Sequence, residues 1–294
     1  MKKQIEHLNR IGLLGNSEKA ACAGILRQAV RLIRAAGLEC YSDVETARLA
    51  GLKNAPYADA ARLAREVDLL LVFGGDGTIL RVARDIAGSL TPVLGVNIGG
   101  LGFLTAVPSM ELAAALKRVW RGEYTLHSRA LIEAGGRWCG KPALYAALND
   151  IVVSRGAVSR LISLDVGVDG EPITRYRCGG LIISSPTGST AYCLAAGGPI
   201  ILPTAEVFTL TPICPHSLSN RSIILPLSSE ITVKAITPLP ATILSADGLV
   251  VAELDAGDEV VIRRSRRTIR LVQLADGSFL EALRRKLHWR GTYL

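Results

Sequence analysis

From about residue 125 the apolar residues change their spacing, and this change divides the chain. Ahead of it, short apolar runs alternate with helical patterns. Residues 10–15 (RIGLLG), Glu39 to Tyr41, Val67 to Phe73 and Pro92 to Val96 read as strands. Residues 18–37, 57–66, Ile79 to Ala87 and about Ser109 to Arg121 read as helices. The first of these carries Ile25, Ala29, Leu32 and Ile33 on one stripe and ends at Gly37. Such alternation predicts a parallel sheet covered by helices. Beyond residue 125, segments rich in β-branched residues are separated by turn signals, among them Asp169-Gly170, Asp247-Gly248 and Gly257-Asp258. Ile231, Val233 and Ala235 alternate with polar residues, as do Val260 and Ile262, which predicts strands with one buried face. Phe279 to Trp289 is helical again. The expectation is an α/β domain with a parallel sheet over residues 1–125, then a β-rich domain over 126–276. A C-terminal segment, 277–294, is expected to pack back on the α/β domain. No linker or repeat separates the halves, so they are expected to abut, with the cleft between them as the default ligand site.

Composition narrows the function classes. Hydrophobic residues are 49% and charged residues 20% of the 294, which excludes a disordered chain. The net charge of +8 favours anionic partners. That charge is scattered apart from Arg263, Arg264, Arg266 and Arg267, and the run Arg284, Arg285, Lys286. No RNP, zinc-finger or basic-zipper pattern accompanies it, so no nucleic-acid partner is expected. The cysteines at 22, 40, 139, 178, 193 and 214 form no C-x-x-C and are expected to be reduced thiols of a cytoplasmic protein. The start lacks the apolar core of a signal peptide and no apolar run reaches 18 residues, so no membrane association is expected.

Gly74-Gly75-Asp76-Gly77-Thr78 lies between an apolar strand and a helical pattern. Glycines at such a junction let backbone N–H groups approach an anion, and the following helix adds its positive end. The loop matches neither a dinucleotide fingerprint, because Leu80 stands where the third glycine belongs, nor a P-loop. Asp76 is the informative residue. A carboxylate in a phosphate cradle repels its ligand unless it holds a metal or accepts a proton from a hydroxyl beside the phosphate. Both roles point to phosphoryl transfer. Gly74, Gly75, Gly77 and Thr78 are the expected phosphate-binding residues, with Arg81 one turn further on. The plainer reading is an ordinary Asp-Gly turn.

Three further constellations stand out. Asn149-Asp150, at an apparent strand edge, offers donors and acceptors that suit a ribose or adenine, although Asn-Asp alone is more often a turn. Ser185, Thr187, Ser189 and Thr190 place four hydroxyls in a loop that opens a helix at Ala191 to Ala196, a neutral nucleotide cradle where capping needs only one. His216 sits in a proline-stiffened polar loop with no nucleophile signature nearby and reads as structural. His7, His127 and His288 carry no metal-ligand spacing.

In order along the chain come GGDGT at 74–78, LGFLT at 101–105, LND at 148–150, GLIISSPTGSTAY at 180–192, GGPI at 197–200 and PICPHSLSNR at 212–221, with KLHW at 286–289. Together they make the sequence similar to the bacterial NAD kinases over nearly its whole length. That resemblance implies a kinase that transfers the terminal phosphate of ATP, or of polyphosphate, to the 2′-hydroxyl of the adenosine ribose of NAD, with NADP as product. It implies a divalent metal, Mg²⁺, a cytoplasmic homo-oligomer (dimer or tetramer), and a two-domain architecture of an α/β domain followed by an all-β one. By matching motifs, Asp76 is the proton acceptor and Gly77 lies beside NAD. Asn149 and Asp150 occupy the family's NAD-binding pair. Thr187, Ser189, Thr190, Ala191, Tyr192, Cys193, Leu194 and Ala195 line the same site, with Arg160 and Arg177 at further NAD contacts. Two positions depart from the family pattern. Gly179-Gly180 stands where Asp-Gly is common, and Leu249 follows Asp247-Gly248 where a glutamine is frequent; both bear on the choice of NAD over NADH. The rival readings are a lipid kinase with a GGDGT-type loop, which needs an apolar cleft, and a non-catalytic NAD-binding sensor.

Overall fold

The computed structural model describes residues 8–19, 21–52, 57–100, 102–138, 141–156, 160–217, 221–237, 242–274 and 278–289. Cys139, Leu101 of the LGFLT motif and Leu218 to Asn220 of the His216 loop therefore lie outside the described residues. The chain forms two units, Met1–Ser128 with Thr268–Leu294, and Arg129–Arg267.

The first unit runs β1 (Arg10–Gly15), α1 (Cys22–Ala35), β2 (Glu39–Ser42), α2 (Val44–Ala50), α3 (Ala60–Glu66), β3 (Leu69–Gly74), α4 (Asp76–Asp85), β4 (Val93–Asn97), β5 (Val107–Pro108) and α5 (Leu112–Trp120). Its strands pair in parallel in the order β4-β3-β1-β2, with β5 on β4. Helices cover such a sheet, so its inner strands are apolar throughout: all six residues of β3, LLLVFG, are buried. Leu26, Ala29 and Ile33 of α1 and Leu112, Leu116 and Val119 of α5 share a core with Ile11, Leu13, Leu71, Phe73, Leu94 and Val96.

Local chemistry moves several helix ends from where periodicity puts them. Helix α1 starts at Cys22, not residue 18, because the Asn16 side chain accepts from the Glu18 N–H at 2.9 Å and holds 16–18 as a turn. Its buried stripe is Leu26, Ala29, Val30 and Ile33, with Ile25 and Leu32 at the flanks. Helix α3 starts at Ala60 because Asp59 caps it, accepting from the Arg62 N–H at 2.7 Å. Helix α2 is too short to show periodicity. Its signals are the Asp43 cap on Thr46 and Gly51 in the left-handed region.

The second unit begins within β6 (Tyr124–Trp138) and continues through β7 (Lys141–Ala147), β8 (Asp150–Arg155), β9 (Ile162–Val168), β10 (Glu171–Cys178), β11 (Gly180–Ser184), the short α6 (Tyr192–Ala195), β12 (Val207–Ile213), β13 (Ile223–Pro226), β14 (Ile231–Ala235), β15 (Thr242–Ala246), β16 (Leu249–Leu254) and into β17 (Glu259–Leu274); α7 (Phe279–Lys286) closes the first unit. Strands β13-β12-β11-β8-β15-β16 make one antiparallel sheet. Strands β10-β9-β14-β17 pair antiparallel in another. Ile151, Val153, Leu181, Ile183, Phe208 and Leu210 of the first sheet share a core with Ile162, Leu164, Val166, Ile231, Val233 and Ile262 of the second. The period-2 spacing of these residues lets the two sheets pack these faces together, while Val152 and Ile182 of the first sheet form a separate buried cluster with Cys193. At Asp169-Gly170 and Asp247-Gly248 both residues have positive φ, the conformation of two-residue hairpin turns. No helix among the described residues is long and apolar enough to cross a membrane.

Candidate active site

In the first unit the site starts at the carboxyl end of β3, an interior strand of the parallel sheet, where open α/β sheets place their ligands. Helix α4 begins at Asp76, three residues earlier than the apolar pattern shows. Its first backbone donors are Thr78 and Ile79, both to Gly75 O, at 3.0 and 3.2 Å. The N–H groups of Asp76 and Gly77 thus precede the helical ladder, at the positive end of the helix. Gly74 is buried, and a Cβ there would lie 2.2 Å from Thr78 Oγ1; Gly77 is exposed, with open space around it. Thr78 is buried and its Oγ1 accepts from Asn16 Nδ2 at 3.3 Å, so this hydroxyl ties the loop to the segment after β1. Arg81 is exposed, one and a half turns into the helix.

Asp76 does not project freely. Its Oδ2 accepts from the Phe103 N–H at 2.8 Å and its Oδ1 from the Leu104 N–H at 3.0 Å. Lys286 of α7 brings Nζ within 3.9 Å of Oδ2 and lies 4.3 Å from the centroid of the Phe103 ring. Phe103 in turn meets Phe279 at the start of α7, with centroids 6.0 Å apart. A Cβ on Gly102 would sit 2.0 Å from Asp76 Oδ1, so only glycine leaves room for the carboxylate. The orienting turn at 102–104 and Lys286 carry roles that sequence reasoning missed. The signal was the glycine at 102 inside the LGFLT motif. A carboxylate has about four acceptor sites, and two backbone donors leave room for a hydroxyl.

In the second unit the predicted motifs converge on three strand ends. Register pairs Ser184 of β11 with Asp150 of β8, and Ile151 of β8 with Ala246 of β15. Ser185 donates from N to Asn149 O at 2.8 Å and from Oγ to Leu148 O at 2.5 Å. Gly188 crosses this strand end so closely that a Cβ would lie 2.2 Å from Asn149 O, which explains the glycine in PTGST. Ser189 is fully buried: its Oγ donates to Pro186 O at 2.8 Å and accepts from the Ile201 N–H at 3.0 Å. Thr190 donates to Thr187 O at 3.4 Å. Three of the four expected cradle hydroxyls thus bond within their own unit's backbone, and Thr187 is buried. Cys193 is fully buried against Thr211, 3.4 Å away, while Tyr192 and Ala195 are exposed and Ala191 and Leu194 half-buried. Arg160 and Arg177 are exposed, as is His216. The described cysteines, Cys22, Cys40, Cys178, Cys193 and Cys214, are free thiols, and burial pushes Cys40 and Cys178 up to about 11.

Asp247, recognised from sequence only as part of a turn, holds the Asn149-Asp150 pair. Its Oδ2 accepts from the Leu148 N–H at 2.8 Å, and its Oδ1 from Asn149 at 2.7 Å and Asp150 at 3.3 Å. Asp150 is 5% exposed, and burial, reinforced by the charge of Asp247, raises its pKa to about 7.

Comparison with known proteins gives this geometry its context. Residues 11–124 match the family model described as the ATP-NAD kinase N-terminal domain, and residues 148–274 the ATP-NAD kinase C-terminal domain. The chain is 39% identical to an NAD kinase of Syntrophotalea carbinolica over 286 residues, 96% of this chain and 99% of that one. It is 40% identical to an NAD kinase of Cupriavidus pinatubonensis, covering 95% and 92%. Among solved structures, yeast NADH kinase complexed with NADH superimposes with a TM-score of 0.86 at 29% identity, covering 98% of this chain and 89% of that one. An NAD kinase from Archaeoglobus fulgidus in complex with ATP shares the fold, with a TM-score of 0.75 at 24% identity and coverage of 96% and 100%.

Proposed function

Because the chain belongs to the ATP-NAD kinase family, we propose that it transfers the γ-phosphoryl group of ATP to the 2′-hydroxyl of the adenosine ribose of NAD, forming NADP. The observation that carries the mechanism is the oriented carboxylate of Asp76, pinned by the Phe103 and Leu104 N–H groups at the start of α4. Phosphoryl-transfer transition states are loose, so the attacking hydroxyl needs alignment more than early deprotonation. Asp76 accepts the hydrogen bond of that hydroxyl, directs its oxygen in line with the γ-phosphorus, and takes the proton late. The N–H groups at the start of α4 face the phosphates. Asn149 and Asp150, set by Asp247, recognise NAD through its hydroxyl and amide groups, with Thr187 to Ala195 and the exposed Arg160 and Arg177 completing its contacts.

Mg²⁺ fits this arrangement in one way. No group of three His, Cys, Asp or Glu side chains able to hold a metal exists among the described residues, and Asp76 is the carboxylate at the loop. That suits an ion carried mainly by the triphosphate, where it would neutralise charge on the phosphate oxygens. Polyphosphate is the alternative donor to compare with ATP, and NADH the alternative acceptor. The same reading makes the protein a cytoplasmic homo-oligomer, dimer or tetramer, which sedimentation of the purified protein measures.

Asp76→Asn keeps the size of the side chain, removes the proton acceptor and turns an amide N–H₂ toward one of the Phe103 and Leu104 donors. It is expected to bind NAD normally by calorimetry while NADP formation from ATP falls on the order of 10²- to 10⁴-fold. Undiminished turnover in that variant would refute the assignment.

A further inference from the structure

The mechanism above gives no task to Lys19, a cation beside the glycine loop. Lys19 lies in the segment between β1 and α1. Its backbone is fixed at both faces: its N–H donates to Asn16 O at 3.3 Å, and its carbonyl accepts from Cys22 N at 2.9 Å. The side chain is half-buried and its Nζ donates to Ile98 O at 3.1 Å, just past the end of β4. That places the ammonium over two glycines from different loops. A Cβ built on Gly75, the N-cap of α4, would lie 3.6 Å from Nζ, and one built on Gly99 would lie 3.4 Å from it. Among the described residues no carboxylate comes within ion-pair distance of Lys19. An ammonium has three donors, and Ile98 uses one. A second group at the same place lacks a partner. Asn97 is 6% exposed; its Nδ2 donates to Gly100 O at 2.6 Å, which fixes the amide orientation and leaves Oδ1 buried with no donor. That oxygen is 4.0 Å from the Gly99 Cβ position that Lys19 also approaches. Buried polar atoms are seldom left orphaned, so this oxygen is an acceptor open to a donor from outside the chain.

We propose that Lys19 is a phosphate-binding residue of the donor subsite. Its ammonium and the N–H groups at the start of α4 together grip the triphosphate of the donor nucleotide, with Asn97 Oδ1 accepting from a donor-side hydroxyl. The side chains absent at Gly75 and Gly99 leave the space in which a phosphate oxygen reaches Nζ. This inference rests on the kinase reading. Lysine serves here as a point charge, which suits a phosphate that must later change its geometry.

The test separates donor binding from architecture. In Lys19→Met the KM for ATP is expected to rise about ten- to a hundredfold, the scale of one charge-assisted hydrogen bond, while the KM for NAD stays put. Lys19→Arg, which keeps the charge, recovers most of the loss. Calorimetry with inorganic tripolyphosphate and the same proteins reports the subsite without turnover, and the affinity of Lys19→Met is expected to drop in parallel. Unchanged ATP and tripolyphosphate affinities in Lys19→Met overturn the proposal. So do equal rises in both KM values, which mark a structural role. If the unaltered protein makes no NADP yet binds tripolyphosphate through Lys19, the acceptor reading fails and this one stands.

Discussion

Two residues of the proposed site owe their character to what surrounds them. Gly102 has no side chain because Asp76 Oδ1 occupies the place of its Cβ, 2.0 Å away. Gly102→Ala must therefore push the carboxylate off the Phe103 and Leu104 donors. NADP formation is expected to fall at least about a hundredfold, as a misplaced reacting group does, with NAD affinity retained in a binding assay. A variant of near-normal turnover would show that Asp76 needs no such seat. Asp150 is the other. Its folded pKa of about 7 stands above the ordinary carboxylate value near 3.9, because burial and Asp247 disfavour its charge. The native state therefore keeps a proton that the unfolded chain has released. The stability this contributes is whole below about pH 4 and is lost as pH rises through about 7. Urea unfolding of the unaltered protein and of Asp150→Asn at pH 5 and pH 8 isolates that contribution. The unaltered protein is expected to lose a few kcal/mol relative to the variant across that interval, because each tenfold difference in proton affinity is worth about 1.4 kcal/mol. Parallel pH profiles for the two would contradict this.

At the scale of elements, the proposed site sits where strands stop. The ends of β8, β11 and β15 meet, and the Asp247 turn closes them by taking three successive backbone N–H groups. Asp247→Asn keeps a residue that tolerates positive φ but presents an amide N–H₂ to one of those donors. It is expected to cost about 1–3 kcal/mol in a urea titration and to weaken NAD binding. It also removes the like charge, so the titration of Asp150 moves to lower pH. Unaltered stability and NAD affinity would reduce the turn to a mere connector. The turn itself was legible, because Asp-Gly at a two-residue hairpin needs two positive φ angles. Its partnership with Asn149 and Asp150 was not: the partners lie about a hundred residues away, and no local pattern encodes that approach. For a related reason periodicity put α4 at Ile79, since Asp76 and Gly77 carry no apolar signal although their backbone is already helical.

For the molecule as a whole, the sequence by itself settled the order of parts. The switch from strand–helix alternation to short β-branched strands marks where a helix-covered parallel sheet gives way to a sandwich, because side-chain period follows backbone geometry. Motif order was enough to identify the family, since glycine loops and strand-end polar pairs are compact signals of close backbone approach. Tertiary structure alone decided what each polar group bonds to. The hydroxyls of Ser189 and Thr78 bond within their own units, to partners that no local pattern points to. Lys19, Lys286 and Asp247 look like ordinary surface or turn residues, yet they converge on a glycine loop, a carboxylate and a strand end. The reason is physical: a hydrogen bond or an ion pair depends on distance in space, and chain folding brings together residues whose separation along the sequence carries no trace of it.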